Sequence, residues 1–133
     1  MSMPAPTGTR RLVVVSAAPI GTFPSPARPN PPRHDPGDGF LMRHVLNPAV
    51  KAALRGHYAD LAAMEDEVRA SGLDWTLVRP PQLNDKPLTG TYRTALGRNL
   101  KRGVKISRAD VAHLMLRTLT MPESERAVVG VAY

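Results

Sequence analysis

"GLDWTLVRPPQLNDKPLTGTY", residues 72–92, decides how the rest of the chain is read. Trp75, Thr76, Leu77 and Val78 are strand-formers in an unbroken row, and with Arg79 they stop at Pro80-Pro81. A strand covered on both faces shows such a continuous run instead of an alternation. Proline has no amide donor and a fixed φ, so tandem prolines end a strand and set a rigid exit direction. Pro81 also pushes Pro80 toward extended backbone. A polar loop follows and closes on Gly90. On spacing alone two readings stand. The simpler is that the prolines only terminate the strand; the other is that they aim a loop at a ligand.

Outward from that stretch the same pattern repeats. "RLVVVSAA", residues 11–18, holds an apolar run from Leu12 to Val15 that reads as another buried strand ending on Ser16. Between Pro19 and Pro36 lie seven prolines, with Gly21, Gly37 and Gly39 close by, so residues 19–39 are expected to form an irregular surface loop. A short helix over "FLMRHVLNP" and a longer one over "AVKAALRGHYADLAAMEDEVRAS" follow, separated at Pro48. Ala53, Leu54, Tyr58, Leu61, Ala62 and Val68 fall near one face of the longer helix, and Gly72 stands where a left-handed helix end belongs. Downstream, "TGTYRTAL" and "GVKIS" read as short extended pieces. Ser107 to Asp110 resembles a capping box with Asp in place of Glu, opening a helix through Thr120. Val111, Leu114, Met115, Thr118 and Leu119 make its apolar stripe. "RAVVGVAY" closes the chain as a third strand.

Strand, helix, strand, helix, strand is the order of an α/β fold with a parallel sheet and right-handed crossovers. In such sheets ligands bind beyond the carboxyl ends of the strands. Ser16 and the segment from Pro80 to Leu83 both arrive at that end.

The totals narrow the class. At 133 residues and 42% hydrophobic the chain makes one domain, and with 5% aromatics its core is aliphatic. It has no cysteine, which removes disulfide, zinc-thiolate and thiol-nucleophile chemistry. No apolar run reaches the roughly 20 residues that span a bilayer, and residues 1–11 lack a leader's apolar core, so a cytoplasmic protein is expected. The net charge of +7 comes from scattered basic residues, dense only between Arg98 and Arg108. Without aromatic platforms, that pattern reads as a solvated face and argues against nucleic acid. His34, His44, His57 and His113 show no metal-ligand spacing, and Asp85 and Lys86 read as a solvated turn.

"RPPQL", "PLTGTY" and "ISRADVA", with "RRLVVVSAA" upstream, together resemble the C-terminal part of the atypical short-chain dehydrogenases/reductases. Within these the chain is similar to the flavin reductase and biliverdin-IX-beta reductase group, close to the NmrA-like proteins. The similarity runs from about Arg10 to Tyr133. It implies a Rossmann-like domain over residues 10–133 that binds NADP or NAD, with a small-molecule acceptor such as a flavin. It assigns Ser16 to the nicotinamide and substrate, as the candidate catalytic residue, and Pro80, Pro81, Gln82 and Leu83 to the wall at the nicotinamide end. Relatives carry histidine at the place of Gln82; glutamine hydrogen-bonds but does not titrate near neutrality. Tyr58 has Ala62 four residues on, where the wider superfamily pairs tyrosine with lysine, so Tyr58 reads as a packed helix residue.

The family's opening strand and glycine-rich turn, which hold the pyrophosphate on backbone amides, have no counterpart in the sequence. The resemblance therefore implies a partial Rossmann-like sheet, with its glycine-rich first unit absent and the strand from Leu12 to Val15 left without its inner neighbour. Three expectations follow and stay open: the chain is a fragment or has a misassigned start, the open edge pairs with another copy or with a separate N-terminal half, or the chain is a reduced module that no longer catalyses. A non-catalytic nucleotide-sensing or interaction module of the NmrA-like kind is the alternative function.

Overall fold

The computed structural model describes residues 10–32 and 55–133. The expected helix over residues 40–48, together with Ala53 and Leu54, lies outside the described residues. Among the described residues six strands and two α-helices follow in order: β1 Arg11–Val15, α1 Arg55–Arg69, β2 Asp74–Arg79, β3 Gln82–Asn84, β4 Arg93–Leu96, β5 Lys105–Ser107, α2 Arg108–Thr118 and β6 Ala127–Ala132. The main sheet has the order β1-β2-β6-β4. Its first three strands are parallel, with Val15 opposite Val78 and Val78 opposite Val129, whereas β4 is antiparallel to β6. The α/β class with a parallel sheet is thus as read from the sequence. Among the described residues no helix is long and apolar enough to cross a membrane.

The two helices cover opposite faces. Side chains alternate along a strand, so neighbours on β2 report different layers. Val78 packs with Val129, Val131 and the α2 residues Val111 and Leu114. Arg79, the next residue, reaches Glu65 of α1 instead. The predicted face of α1 holds: Tyr58, Ala62 and Val68 are buried, and so is Glu65, at 1% exposure. On α2, Val111, Leu114 and Thr118 are buried, but the helix ends at Thr118 and Leu119 is exposed.

Three local outcomes differ from the expectations. The proline-rich stretch does not begin as a surface loop. Residues Ala18–Thr22 form a short 3-10 turn whose Ile20 is 1% exposed, and Ile20 and Phe23 pack with Tyr58 and Ala62 under α1. Apolar residues among prolines were enough to draw the segment inward, and Asp66 fixes it by accepting from the Ser25 hydroxyl and the Ala27 amide. Next, the segment after Pro81 is not all loop: β3 pairs in parallel with β5 as a two-stranded ribbon. Last, the path from β2 to β6 is no simple crossover, because it first supplies β4 on the far side of β6. The return from β4 passes tightly against Gly130, where a β-carbon would stand 2.1 Å from the Arg98 carbonyl oxygen. Only glycine admits that approach.

Candidate active site

Beyond the end of β1 the chain stays zipped to β2. The Ser16 amide donates to the Val78 carbonyl at 2.7 Å, and the Ala18 amide to the Pro80 carbonyl at 3.0 Å. Ser16 therefore lies directly beside Arg79 and Pro80 at the carboxyl end of the sheet. The residue is 6% exposed, and among the described residues no group hydrogen-bonds to its buried Oγ. A buried hydroxyl left unpaired is uncommon and asks for an explanation, a ligand being one.

Pro80 is buried, Pro81 and Leu83 are half-buried, and the Gln82 side chain is exposed. Leu83 lines a hollow of ≈ 200 Å³ with Val15, Arg108, Val111, Ala112 and Met115. Neither Ser16 nor Gln82 contributes to that lining. Strand alternation explains it: Val15 turns to the α2 face and Ser16 to the α1 face. The structure thus brings Ser16 and Pro80 together, places Leu83 across the sheet end from them, and leaves Gln82 at the surface.

The sequence reading missed what braces this end. Glu65 of α1 forms a buried, two-pronged ion pair with Arg79, Nε to Oε2 at 3.0 Å and Nη2 to Oε1 at 2.6 Å, immediately before Pro80. Arg69 approaches the same Oε1 at 3.4 Å. A signal was present: Tyr58, Ala62 and Glu65 follow helical spacing, which puts a carboxylate on the apolar face. Tyr58 meets Phe23 edge to face, and burial pushes its phenol pKa up, away from what a proton-transferring tyrosine needs. His113 is half-buried and bonded through Nδ1 to the Tyr92 hydroxyl at 2.7 Å. Asp85 pairs with Arg108 at 2.7 Å, well exposed, a contact worth little in water. Among the described residues no cluster of His, Asp or Glu suits a metal ion.

On the other face Asp110 anchors the segment around Gly90. Its carboxylate accepts from the Thr89 amide and hydroxyl, the Gly90 amide, the Ser107 hydroxyl and the Tyr133 hydroxyl. Burial pushes its pKa up, but the Tyr133, Gly90 and Thr89 hydrogen bonds outweigh that and hold it well below the usual carboxylate range.

In open parallel sheets ligands bind beyond the carboxyl ends of the strands, where Ser16 and Pro80 lie. A family model described as NAD(P)H-binding matches residues 4–122. The chain belongs to that NAD(P)H-binding family. The fold is shared with a short-chain dehydrogenase/reductase from Veillonella parvula DSM 2008, solved in complex with NADP: TM-score 0.68, 17% identity, 93% of this chain and 51% of that one. It is shared too with ChuY, an anaerobillin reductase from Escherichia coli O157:H7, with TM-score 0.63, 22% identity and coverage of 94% and 50%. The chain is also similar to the uncharacterized sugar epimerase YhfK of Bacillus subtilis (strain 168), 41% identical over 69 residues, which are 52% of this chain and 28% of that protein. The chain therefore spans about half the length of these solved structures and less of YhfK.

The Ser16 hydroxyl can both donate and accept, as a carboxamide would require, and among the described residues nothing competes for it. Among the described residues no strand runs through a glycine-rich turn into a helix.

Proposed function

We propose that this chain forms the nicotinamide-facing flank of an NAD(P)H-dependent reductase that delivers hydride to a flavin or a similar conjugated acceptor. The pyrophosphate would then be held by residues other than those described. The observation that carries the reading is the buried Ser16 hydroxyl, without a partner among the described residues, beside Pro80 at the sheet's carboxyl end. Reduced nicotinamide, when bound, supplies two electrons and one proton as hydride, and solvent water supplies the acceptor's second proton. Ser16 orients the carboxamide or the acceptor by hydrogen bonding. Pro80 and Pro81 keep the wall of the site rigid and short of amide donors. Gln82 is exposed and does not titrate, so no general acid is assigned there.

The test uses the thermal stability of the full chain with and without NADP. Ser16→Ala removes an unsatisfied buried group, a burden of about 1–3 kcal/mol, so the unliganded variant should melt at or above the wild type. NADP should raise the melting temperature of the wild type and do so less for Ser16→Ala. Equal NADP responses in both proteins, or none in either, would sink the proposal. The exposed glutamine and the sealed Tyr58 favour one second reading, a nucleotide-sensing module without turnover. It would be selected by NADP stabilisation combined with no NADPH oxidation across flavins and quinones.

A further inference from the structure

We propose that the basic loop between β4 and β5 is an anion-binding arm of the candidate site, which seats a phosphate or carboxylate carried on the tail of the acceptor. This rests on the proposed reductase function and adds the class of acceptor to it. From Lys86 to Ala109 the chain holds no Asp or Glu, while Arg98, Lys101, Arg102 and Lys105 crowd into residues 98–105. All four are exposed, and none of them forms an ion pair among the described residues. The carboxylates that flank the stretch do not offset them. Asp85 pairs with Arg108, and Asp110 is buried among its own donors.

Packing seats this loop at the carboxyl end of the sheet. Its Arg98 carbonyl lies against Gly130 of β6, and a β-carbon on Gly103 would stand 2.5 Å from that of Ala132. Asn99, 7% exposed, donates from Nδ2 to the Ala18 carbonyl at 3.1 Å, and the Ala18 amide is the one bonded to Pro80. The loop is therefore anchored two residues beyond Ser16. It leans on β6, which is separated from β1 by β2, so its exposure does not follow from the open edge of β1. Arg102 takes a φ of 58° in the loop's turn. Glycine or asparagine holds that left-handed conformation at less cost, so backbone preference does not account for an arginine there. Hydride transfer brings the acceptor's ring against the nicotinamide, which the proposed site puts at Ser16. The loop borders that end of the dinucleotide, so the anion it meets belongs to the acceptor and not to a 2′-phosphate at the other end. Guanidinium groups suit phosphate and carboxylate alike, through paired N–H donors.

Flavin fluorescence, followed as the full chain is titrated into FMN or riboflavin, tests it, since the two differ by one phosphate. FMN should bind about tenfold more tightly, the scale of one charge-assisted hydrogen bond, and added salt should shrink the advantage. Arg98→Gln combined with Arg102→Gly should abolish it without lowering the melting temperature, because both side chains are exposed and glycine suits the φ at 102. Arg126→Gln removes an exposed cation just before β6, at the opposite end of the sheet, and should leave the advantage intact. Equal affinities for the two flavins would overturn the proposal while leaving the reductase reading standing. An advantage that Arg126→Gln removes as fully as the double variant would reduce it to net charge and overturn it too. A double variant that loses discrimination between NADP and NAD instead would assign the loop to the cofactor, against the proposal. If neither flavin binds, the proposal falls, and the NADP response of Ser16→Ala decides the reductase reading separately.

Discussion

Two buried carboxylates, Glu65 and Asp110, hold the two faces of the sheet in different ways. Glu65, on the α1 face, is neutralised by guanidinium groups: Arg79 takes both oxygens, and Arg69 approaches one of them. Asp110, on the α2 face, has no cation among its hydrogen-bond donors. It is satisfied by two backbone amides besides its own helix cap, and by hydroxyls from Thr89, Ser107 and Tyr133. An ion pair concentrates the compensation in one partner, so that removing the partner strands a charge. A fan of neutral donors spreads it, so that losing any one leaves most of the satisfaction in place. The first arrangement should fail abruptly and the second gradually.

The largest effect is expected at Arg79. Arg79→Ala leaves Glu65 charged and enclosed, with the offset Arg69 as its one other ion-pair partner among the described residues, and should destabilise the chain by about 3–5 kcal/mol in urea unfolding. The double variant Glu65→Leu with Arg79→Met replaces the pair by apolar side chains of similar bulk. It should recover most of that loss, because the net worth of a buried pair against such a replacement is small. A double variant as unstable as the single one would mean that the pair does more than neutralise itself. Because Arg79 precedes Pro80, the single variant should also blunt any NADP-dependent stabilisation.

Asp110 offers an intermediate effect with a pH signature. Its folded-state pKa is depressed, so the carboxylate's contribution is fully present above the unfolded value, near 4. It is lost as pH falls below that value toward the folded pKa. Asp110→Asn keeps the shape but trades acceptor capacity for donors that meet amides and hydroxyls already donating. Hydrogen bonds to a charged group contribute about 1.5–3 kcal/mol each, and partial re-pairing should leave a net loss of about 2–3 kcal/mol at neutral pH. The gap between wild type and variant should narrow steadily below about pH 4. A gap independent of pH would show that shape, and not the ionised form, is what the site needs.

The main elements were legible because their signals are local. The strand-forming runs at Leu12–Val15 and Trp75–Val78 needed only composition and a terminator, and the face of α1 needed only helical spacing. What stayed hidden depends on partners distant in sequence. Nothing near Glu65 announces Arg79, fourteen residues away on a different element, and Ile20 looked like a loop residue until Tyr58 and Phe23 came to surround it. β4 was seen as extended, but its antiparallel place beyond β6 depends on the approach at Gly130. At the candidate site, the position of Ser16 at the strand end was readable. That its hydroxyl would be buried, with no partner among the described residues, was not, because burial belongs to the packed chain and not to the strand's own sequence.

The smallest effect sharpens the contrast from within the Asp110 fan. Ser107 caps α2: its Oγ accepts from the Asp110 amide at 3.0 Å and donates to the Asp110 carboxylate at 3.1 Å. In a full capping box the acidic side chain would return to the amide of the cap residue. Here that amide meets the Tyr133 hydroxyl at 3.3 Å, and Asp110 is released to hold Thr89 and Gly90. Ser107→Ala therefore removes one cap and one of several donors. Asp110 keeps the others, so the expected loss is that of an ordinary cap, about 1 kcal/mol, with the acid-dependent advantage over Asp110→Asn still visible. Should Ser107→Ala instead cost as much as Asp110→Asn, measured side by side in urea at neutral pH, the fan would have to be one cooperative unit. The gradual failure argued for this face would then give way to the abrupt kind expected at Glu65.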